Sequence, residues 1–135
     1  MTSLAPYLLF DGTCQKAMEF YRDCLGGELT VTFVKDSPAK ESMSDFQQEN
    51  SLHAHLKCDS LEVFASDWLA RNATPAGGNT VCLFLRAGNA AELKAVFEKL
   101  SDGAEVTDPP REMFFGLYAA LNDRFGVRWM FQSGQ

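Results

Sequence analysis

The pattern of predicted elements repeats once along the 135 residues of the chain. Each half contains a strand, an amphipathic helix and three further strands, with a period of roughly 75 residues. In such a unit the apolar stripe of the helix packs against one face of the sheet, and the other face is left to enclose something. We therefore predict one α+β domain over residues 1–135, with one module at about 1–68 and the other at about 79–135.

The first module starts at an apolar segment that contains Pro6 near its beginning, where a missing N–H is tolerated in a strand. Its predicted elements are a strand at 4–10, a helix from Cys14 to Leu25, and strands at 29–33, 51–58 and 61–66. Thr13 is the predicted N-cap, and Gly26-Gly27 end the helix because glycine adopts the left-handed conformation without strain. The polar segment 36–50 is predicted to be a loop.

The second module follows a polar segment at 68–79, which we also predict to be a loop. Its predicted elements are a strand at 80–85, a helix that starts after Asn89, and strands at 104–107, 114–121 and 127–131. Asn89 is the predicted N-cap, and Glu92 completes a pair typical of a capping box. Gly103 ends this helix.

Charge and cysteine usage limit the partners and the location of the protein. The net charge of −6 and the pI near 4.8 argue against nucleic acid or an anionic membrane, because neither attracts an acidic surface. The first ten residues lack the basic start of a signal peptide and are too short to span a bilayer. The four cysteines show no C-x-x-C spacing, so we expect reduced thiols and a cytoplasmic protein.

Several short motifs occur along nearly the whole chain in one order. They are Pro6-Tyr7-Leu8, Phe10-Asp11-Gly12, the segment 17–21 followed by Gly26-Gly27, His53-Ala54-His55-Leu56, Ala65-Ser66-Asp67, Phe115-Gly116 and the segment 123–130. In this order the chain resembles the PhnB-like branch of the vicinal oxygen chelate (glyoxalase/bleomycin-resistance/dioxygenase) superfamily. The resemblance implies two βαβββ modules whose mixed sheets curve around a cavity, a homodimer, and a small-molecule ligand.

The resemblance also implies where a metal ion would bind, because metalloenzymes of this superfamily hold one divalent ion. Their ligands are His, Glu or Gln from the first and last strands of each module. In this chain Pro6 and Met130 lie at two of these positions, and no His, Glu or Gln lies in the segment 80–82 that supplies a third. Proline offers no donor atom and a thioether binds hard cations poorly, so we expect no metal and no cofactor.

The candidate binding residues are two histidines and two arginines. His53 and His55 lie on one face of a predicted strand. They can serve as a general base or a metal pair, or they are part of a solvated face with Lys57 or hydrogen-bonded core histidines. His53 matches the branch motif and is the best candidate for a catalytic residue. Arg86 and Arg128 lie at or near strands of the second module, where each can clamp a carboxylate or phosphate or form a surface ion pair.

Two functions remain open at this point. The first is a protein that binds a small organic molecule in the cavity without the superfamily's usual metal site. The alternative is a metal-dependent glyoxalase-, dioxygenase- or lyase-type enzyme that uses a non-standard ligand set around His53. In that case zinc is the expected ion, with His55 and either Glu62 or Asp67 as further ligands. Asp67 is otherwise expected to cap the adjacent turn, and the loops 36–50 and 68–79 to border the cavity mouth.

Overall fold

The protein is described by a computed structural model, which covers residues 2–44, 47–59, 61–69 and 77–134. The chain divides into two compact units, Met1–Ala76 and Gly77–Gln135. The boundary falls inside the predicted loop 68–79, of which residues 70–76 lie outside the described part. Among the described residues, no helix is long and apolar enough to cross a membrane.

The first unit is a four-stranded mixed sheet covered by one helix. Its elements are β1 (Tyr7–Phe10), α1 (Cys14–Leu25), β2 (Glu28–Phe33), β3 (Ser51–Cys58) and β4 (Leu61–Asp67). The strand order is β1-β4-β3-β2, with β1 parallel to β4 and the other pairs antiparallel. The helix joins β1 to β2 at the far edge of the sheet, and β3 and β4 then lead back so that β4 lies between β3 and β1.

The second unit repeats this arrangement. Its elements are β5 (Leu83–Ala87), α2 (Ala90–Leu100), β6 (Glu105–Met113), β7 (Gly116–Asn122) and β8 (Arg128–Ser133). The order β5-β8-β7-β6, with the single parallel pair β5–β8, matches the first sheet strand for strand. The predicted α+β fold of two βαβββ modules with mixed sheets is therefore confirmed. The enclosed cavity and the homodimer stay predictions.

Each helix buries its apolar stripe against one face of its own sheet. In α1 this stripe consists of Cys14, Ala17, Met18, Tyr21 and Cys24, all buried. In α2 the ring of Phe97 packs edge-on against Phe131 of β8, with 5.4 Å between the ring centroids. Asn89 accepts the N–H of Glu92 at 2.9 Å, which confirms the predicted N-cap. The Glu92 carboxylate accepts the N–H of Gly88.

Three strands of the second unit lie elsewhere than predicted. The strand predicted at 80–85 is Leu83–Ala87, the one at 104–107 is Glu105–Met113, and the one at 114–121 is Gly116–Asn122. Strand β6 contains Pro109-Pro110, which it tolerates because it is an edge strand and because the two prolines lie within the register shift between Asp108 and Arg111. Strand β7 starts at Gly116, which takes φ +126°. This position favours glycine, because a side chain there would collide with the Ser133 carbonyl.

The predicted loop 36–50 contains more structure than expected. Two 3₁₀-helices, Val34–Asp36 and Pro38–Ser42, span its first part, and the Ser37 hydroxyl accepts the N–H of Ala39 between them. The Gln47 amide donates to the carbonyl of Leu69 at 2.6 Å, which fixes the end of this segment to the residues after β4. The described part of the segment therefore makes hydrogen bonds both within itself and to the residues after β4.

Candidate functional site

Rings from three adjacent strands lie together on the face of the first sheet opposite α1. We call Tyr7, His53, His55 and Phe64 the aromatic surface. Register pairs Tyr7 with Phe64 across β1–β4 and Phe64 with His55 across β4–β3, so these side chains share one face. The rings of His55 and Phe64 stack at 4.5 Å between centroids, and those of Tyr7 and Phe64 stack at 6.3 Å. His53 lies 5.7 Å from Phe64.

Two hydrogen bonds hold the polar atoms of the aromatic surface in position. The Tyr7 hydroxyl and Nδ1 of His53 are 3.2 Å apart, and Nε2 of His55 lies 2.7 Å from a carboxylate oxygen of Glu62. This second contact leaves Nδ1 of His55 as the ring nitrogen that faces away from the carboxylate. Tyr7 is 48% exposed and its neighbour on the same face, Leu9, is 44% exposed. The aromatic surface therefore combines exposed ring faces with a few positioned polar atoms.

Asp67 lies on the opposite face, at the N-terminus of α1. Its carboxylate accepts the N–H of Cys14, the first residue of the helix, at 2.9 Å and the N–H of Ser51, the first residue of β3, at 2.8 Å. Thr13 is the N-cap residue of α1, as predicted, but its side chain makes no capping hydrogen bond. Asp67 supplies the cap from β4 instead. It is 4% exposed and points away from His53 and His55.

The Cys14 thiol is buried beside this carboxylate. Burial raises the pKa of Cys14 to about 12 from an ordinary value of 9.0, and the negative charge of Asp67 acts in the same direction. The neutral thiol is therefore the form present at neutral pH, and it is neither a nucleophile nor a metal ligand. This supports the interpretation of Cys14 as a core residue.

The two arginines of the second unit differ in their surroundings. The Arg128 guanidinium donates to the Thr107 hydroxyl at 2.8 Å and to the Asn122 side-chain carbonyl at 3.4 Å, and it lies 3.9 Å from Asp108. Arg86 projects from β5 and its side chain makes no hydrogen bond or ion pair with the described residues. Arg86 is thus free to bind a ligand, whereas Arg128 is engaged within the sheet.

The positions at which the superfamily's metal ligands are expected do not fit a hard divalent ion. Cys82 and Met130 lie together, with the thiol donating to the thioether sulfur at 3.2 Å, and both are soft donors. Within the described ranges, no three His, Cys, Asp or Glu side chains form a group that could hold a metal. Asp67 as a zinc ligand beside His53 and His55 is wrong, since its two oxygens bind backbone N–H groups on the helix side.

Sequence reasoning missed the aromatic part of this surface. The alternation of β3 placed His53 and His55 on one face, but Tyr7 and Phe64 join them only through the pairing of β1 with β4 and of β4 with β3. A signal was present for Phe64, which lies between the buried residues Val63 and Ala65 in its own strand. Parallel pairing between segments some 57 residues apart, 7 to 64, cannot be read from alternation.

Residues 3–131 match the model of the family described as "Glyoxalase/Bleomycin resistance protein/Dioxygenase superfamily". The chain is 29% identical over 139 residues to Protein YjdN of Escherichia coli (strain K12), across 94% of this chain and 92% of YjdN. It is similar to the crystal structure of PA1353 from Pseudomonas aeruginosa, with a TM-score of 0.88, 31% identity, and 100% and 99% of the two chains covered. Its fold is also that of the PhnB protein from Bacillus cereus, with a TM-score of 0.75, 20% identity, and 98% and 100% covered.

Proposed function

The chain belongs to the Glyoxalase/Bleomycin resistance protein/Dioxygenase superfamily, and we propose that it binds a small organic molecule that contains a planar ring, without the metal site usual in that superfamily. The observation that carries this proposal is the aromatic surface itself. Four rings from β1, β3 and β4 lie on the sheet face opposite α1, and Tyr7 at its edge is 48% exposed.

The arrangement favours a planar ligand for a physical reason. The Tyr7, Phe64 and His55 rings are nearly parallel in succession, with interplanar angles of 7° and 8°. A further ring placed against them gains about 0.5–1.5 kcal/mol per aromatic contact beyond the burial of its area. Parallel rings held by the hydrogen bonds of His53 and His55 need little reordering to accept it, which limits the entropic cost of binding.

The polar atoms at the rim would orient the ligand. The Tyr7 hydroxyl and the His53 ring can exchange their mutual hydrogen bond for one to a ligand hydroxyl or carbonyl. The bond between His55 and Glu62 fixes the His55 ring in its stacked position. A few polar groups around an apolar area are typical of small-molecule sites.

The proposal is tested with a panel of single-ring probes, including phenol, benzimidazole and the saturated control cyclohexanol, added to the ¹⁵N-labelled protein. We expect ring-bearing probes to shift amide signals of β1, β3 and β4. Tyr7→Leu should weaken their binding at least fivefold, which is about 1 kcal/mol. Phe114→Leu is the matched control, because Phe114 is 90% exposed and lies outside the surface.

Equal binding by Tyr7→Leu and the unmodified protein would refute the proposal, as would equal binding of cyclohexanol and phenol. The metal-dependent alternative has its own measurement. Stoichiometric zinc, nickel or iron in protein purified without added metal, lost in His53→Ala, would favour an enzyme over a binding protein. We expect no stoichiometric metal, because Pro6, Cys82 and Met130 do not supply hard ligands.

A further inference from the structure

The face of the second sheet opposite α2 carries a straight row of polar side chains. Arg86 of β5 pairs with Gln132 of β8, Gln132 pairs with Tyr118 of β7, and Tyr118 pairs with Arg111 of β6. Residues directly opposite in neighbouring strands project from the same face of a sheet. These four residues, which we call the polar row, therefore cross the whole sheet on one side.

The polar groups of this row have no partner within the described part of the chain. The side chains of Arg86, Gln132 and Arg111 make no hydrogen bond or ion pair there, and Tyr118 makes only a ring contact with Phe115. Arg128, on the same face, shows how differently a structural arginine behaves, since it contacts Thr107, Asn122 and Asp108. The row is thus a set of donors available for binding.

No carboxylate of this face competes for the row. The two acidic side chains on the same side, Glu105 and Asp108, lie toward the other end of the strands. Glu105 accepts a hydrogen bond from Asn122 at 2.8 Å, and Asp108 lies 3.9 Å from Arg128. The chain as a whole has a net charge of −6, whereas this end of the sheet has two arginines and no free carboxylate and is therefore locally positive. Its charge is complementary to an anion.

We propose that the polar row binds an oxyanion, the carboxylate, phosphate or phosphonate group of a small organic acid. Neighbouring strands are about 4.8 Å apart, so Arg86 and Tyr118 flank Gln132 at about 5 Å on either side. The guanidinium offers paired N–H donors to two oxygens, the Gln132 amide offers an N–H, and the Tyr118 hydroxyl an O–H. An oxyanion above Gln132 is within reach of all three kinds of donor.

The next row along the strands accommodates the organic part of the ligand. Phe84 of β5 pairs with Met130 of β8, and Met130 pairs with Ala120 of β7, so an apolar row borders the polar one. Phe84 is 52% exposed. The ligand class is therefore an organic acid whose apolar body lies over Phe84 and Met130. All residues of this site belong to the second unit, so the site does not depend on the aromatic surface of the first.

Titration with phenylphosphonate, and separately with inorganic phosphate and benzoate, tests the site. Amide and side-chain NMR signals are followed at about 0.15 M ionic strength, where diffuse surface attraction is largely screened. We expect signals of β5, β8 and β7 to shift, including the Gln132 side-chain amide. Arg86→Gln should raise the Kd for phenylphosphonate at least tenfold and Tyr118→Phe about threefold. The three probes separate a phosph(on)ate preference from a carboxylate preference.

Arg22→Gln is the matched control, since it removes the same charge from an exposed arginine of the first unit. Equal weakening by Arg22→Gln and Arg86→Gln would overturn the proposal, because it would indicate general charge attraction. The proposal is also refuted if none of the three probes binds with a Kd below about 10 mM. Phosphate has no ring, so Tyr7→Leu should leave phosphate binding unchanged, and this separates failure of this site from failure of the aromatic surface.

Discussion

Replacing Asp67 by alanine should remove the hydrogen bonds that hold the starts of α1 and β3 in the first unit. The carboxylate accepts the N–H groups of Cys14 and Ser51 at 2.9 and 2.8 Å, the first residues of α1 and β3. Strand β3 carries His53 and His55, so this contact also fixes the start of the strand that bears the aromatic surface. The site is buried, and water cannot replace the missing acceptor without opening the structure.

The magnitude follows from the two bonds. Hydrogen bonds to a charged acceptor contribute about 1.5–3 kcal/mol each, and a buried N–H left without an acceptor costs about 1–3 kcal/mol. We therefore expect Asp67→Ala to lower the free energy of unfolding by about 3–6 kcal/mol. Asp67→Asn keeps one carbonyl acceptor and loses the charge, so it should lose about half as much. A domain of ordinary stability has only about 5–15 kcal/mol in total.

Urea denaturation followed by circular dichroism measures both variants. Asp23→Ala is the matched control, because the Asp23 side chain is 71% exposed and makes one ion pair with Arg22, worth at most about 1 kcal/mol. If Asp67→Ala fails to fold, Asp67→Asn still yields a value. The reasoning is refuted if Asp67→Asn is as stable as the unmodified protein, or if Asp67→Ala costs no more than Asp23→Ala.

Two further predictions concern single groups. The stability advantage of the unmodified protein over Cys14→Ala should be constant below about pH 9 and fall by about 1.4 kcal/mol per pH unit between pH 9 and 12. The reason is that the raised pKa of about 12 keeps the folded thiol neutral while the unfolded thiol ionises near 9.0, and denaturation curves at several alkaline pH values would show it. Asn89→Ala should cost about 1 kcal/mol through loss of the α2 N-cap, whereas Asn89→Asp should not, as thermal unfolding would show.

The superfamily and its repeated βαβββ architecture can be predicted because they depend on local sequence patterns, which the structure reproduces. The stripe from Cys14 to Leu25, the cap at Asn89 and the alternation of β3 each depend on a few adjacent residues, and the structure places them as predicted. The first strand of the second unit begins at Leu83, three residues after its predicted start, because the prediction counts the apolar residues Val81 and Cys82 as strand. Val81 is in fact 80% exposed, and hydrophobicity alone does not reveal this.

The candidate site was less accessible to sequence reasoning because it depends on pairing between distant strands. His53, His55, Arg86 and Arg128 were named from residue type and motif, but not the rings of Tyr7 and Phe64 or the row formed with Gln132 and Tyr118. These neighbours are set by the parallel pairs β1–β4 and β5–β8, whose registers join residues more than 40 positions apart. Their own strands carry no local sign of that register.

The two units carry different side chains on the sheet face opposite each helix. When β4 and β8 are matched at their last residues, Tyr7 and Phe64 correspond to Phe84 and Met130. Packing against a helix keeps most of the covered face apolar, because a polar group there loses its contact with water and needs a partner, as Asp67 has in the N–H groups of Cys14 and Ser51. The opposite face has no such constraint. Among the described residues, the first unit accordingly carries stacked rings on this face and the second carries donors without partners, on the same strand order.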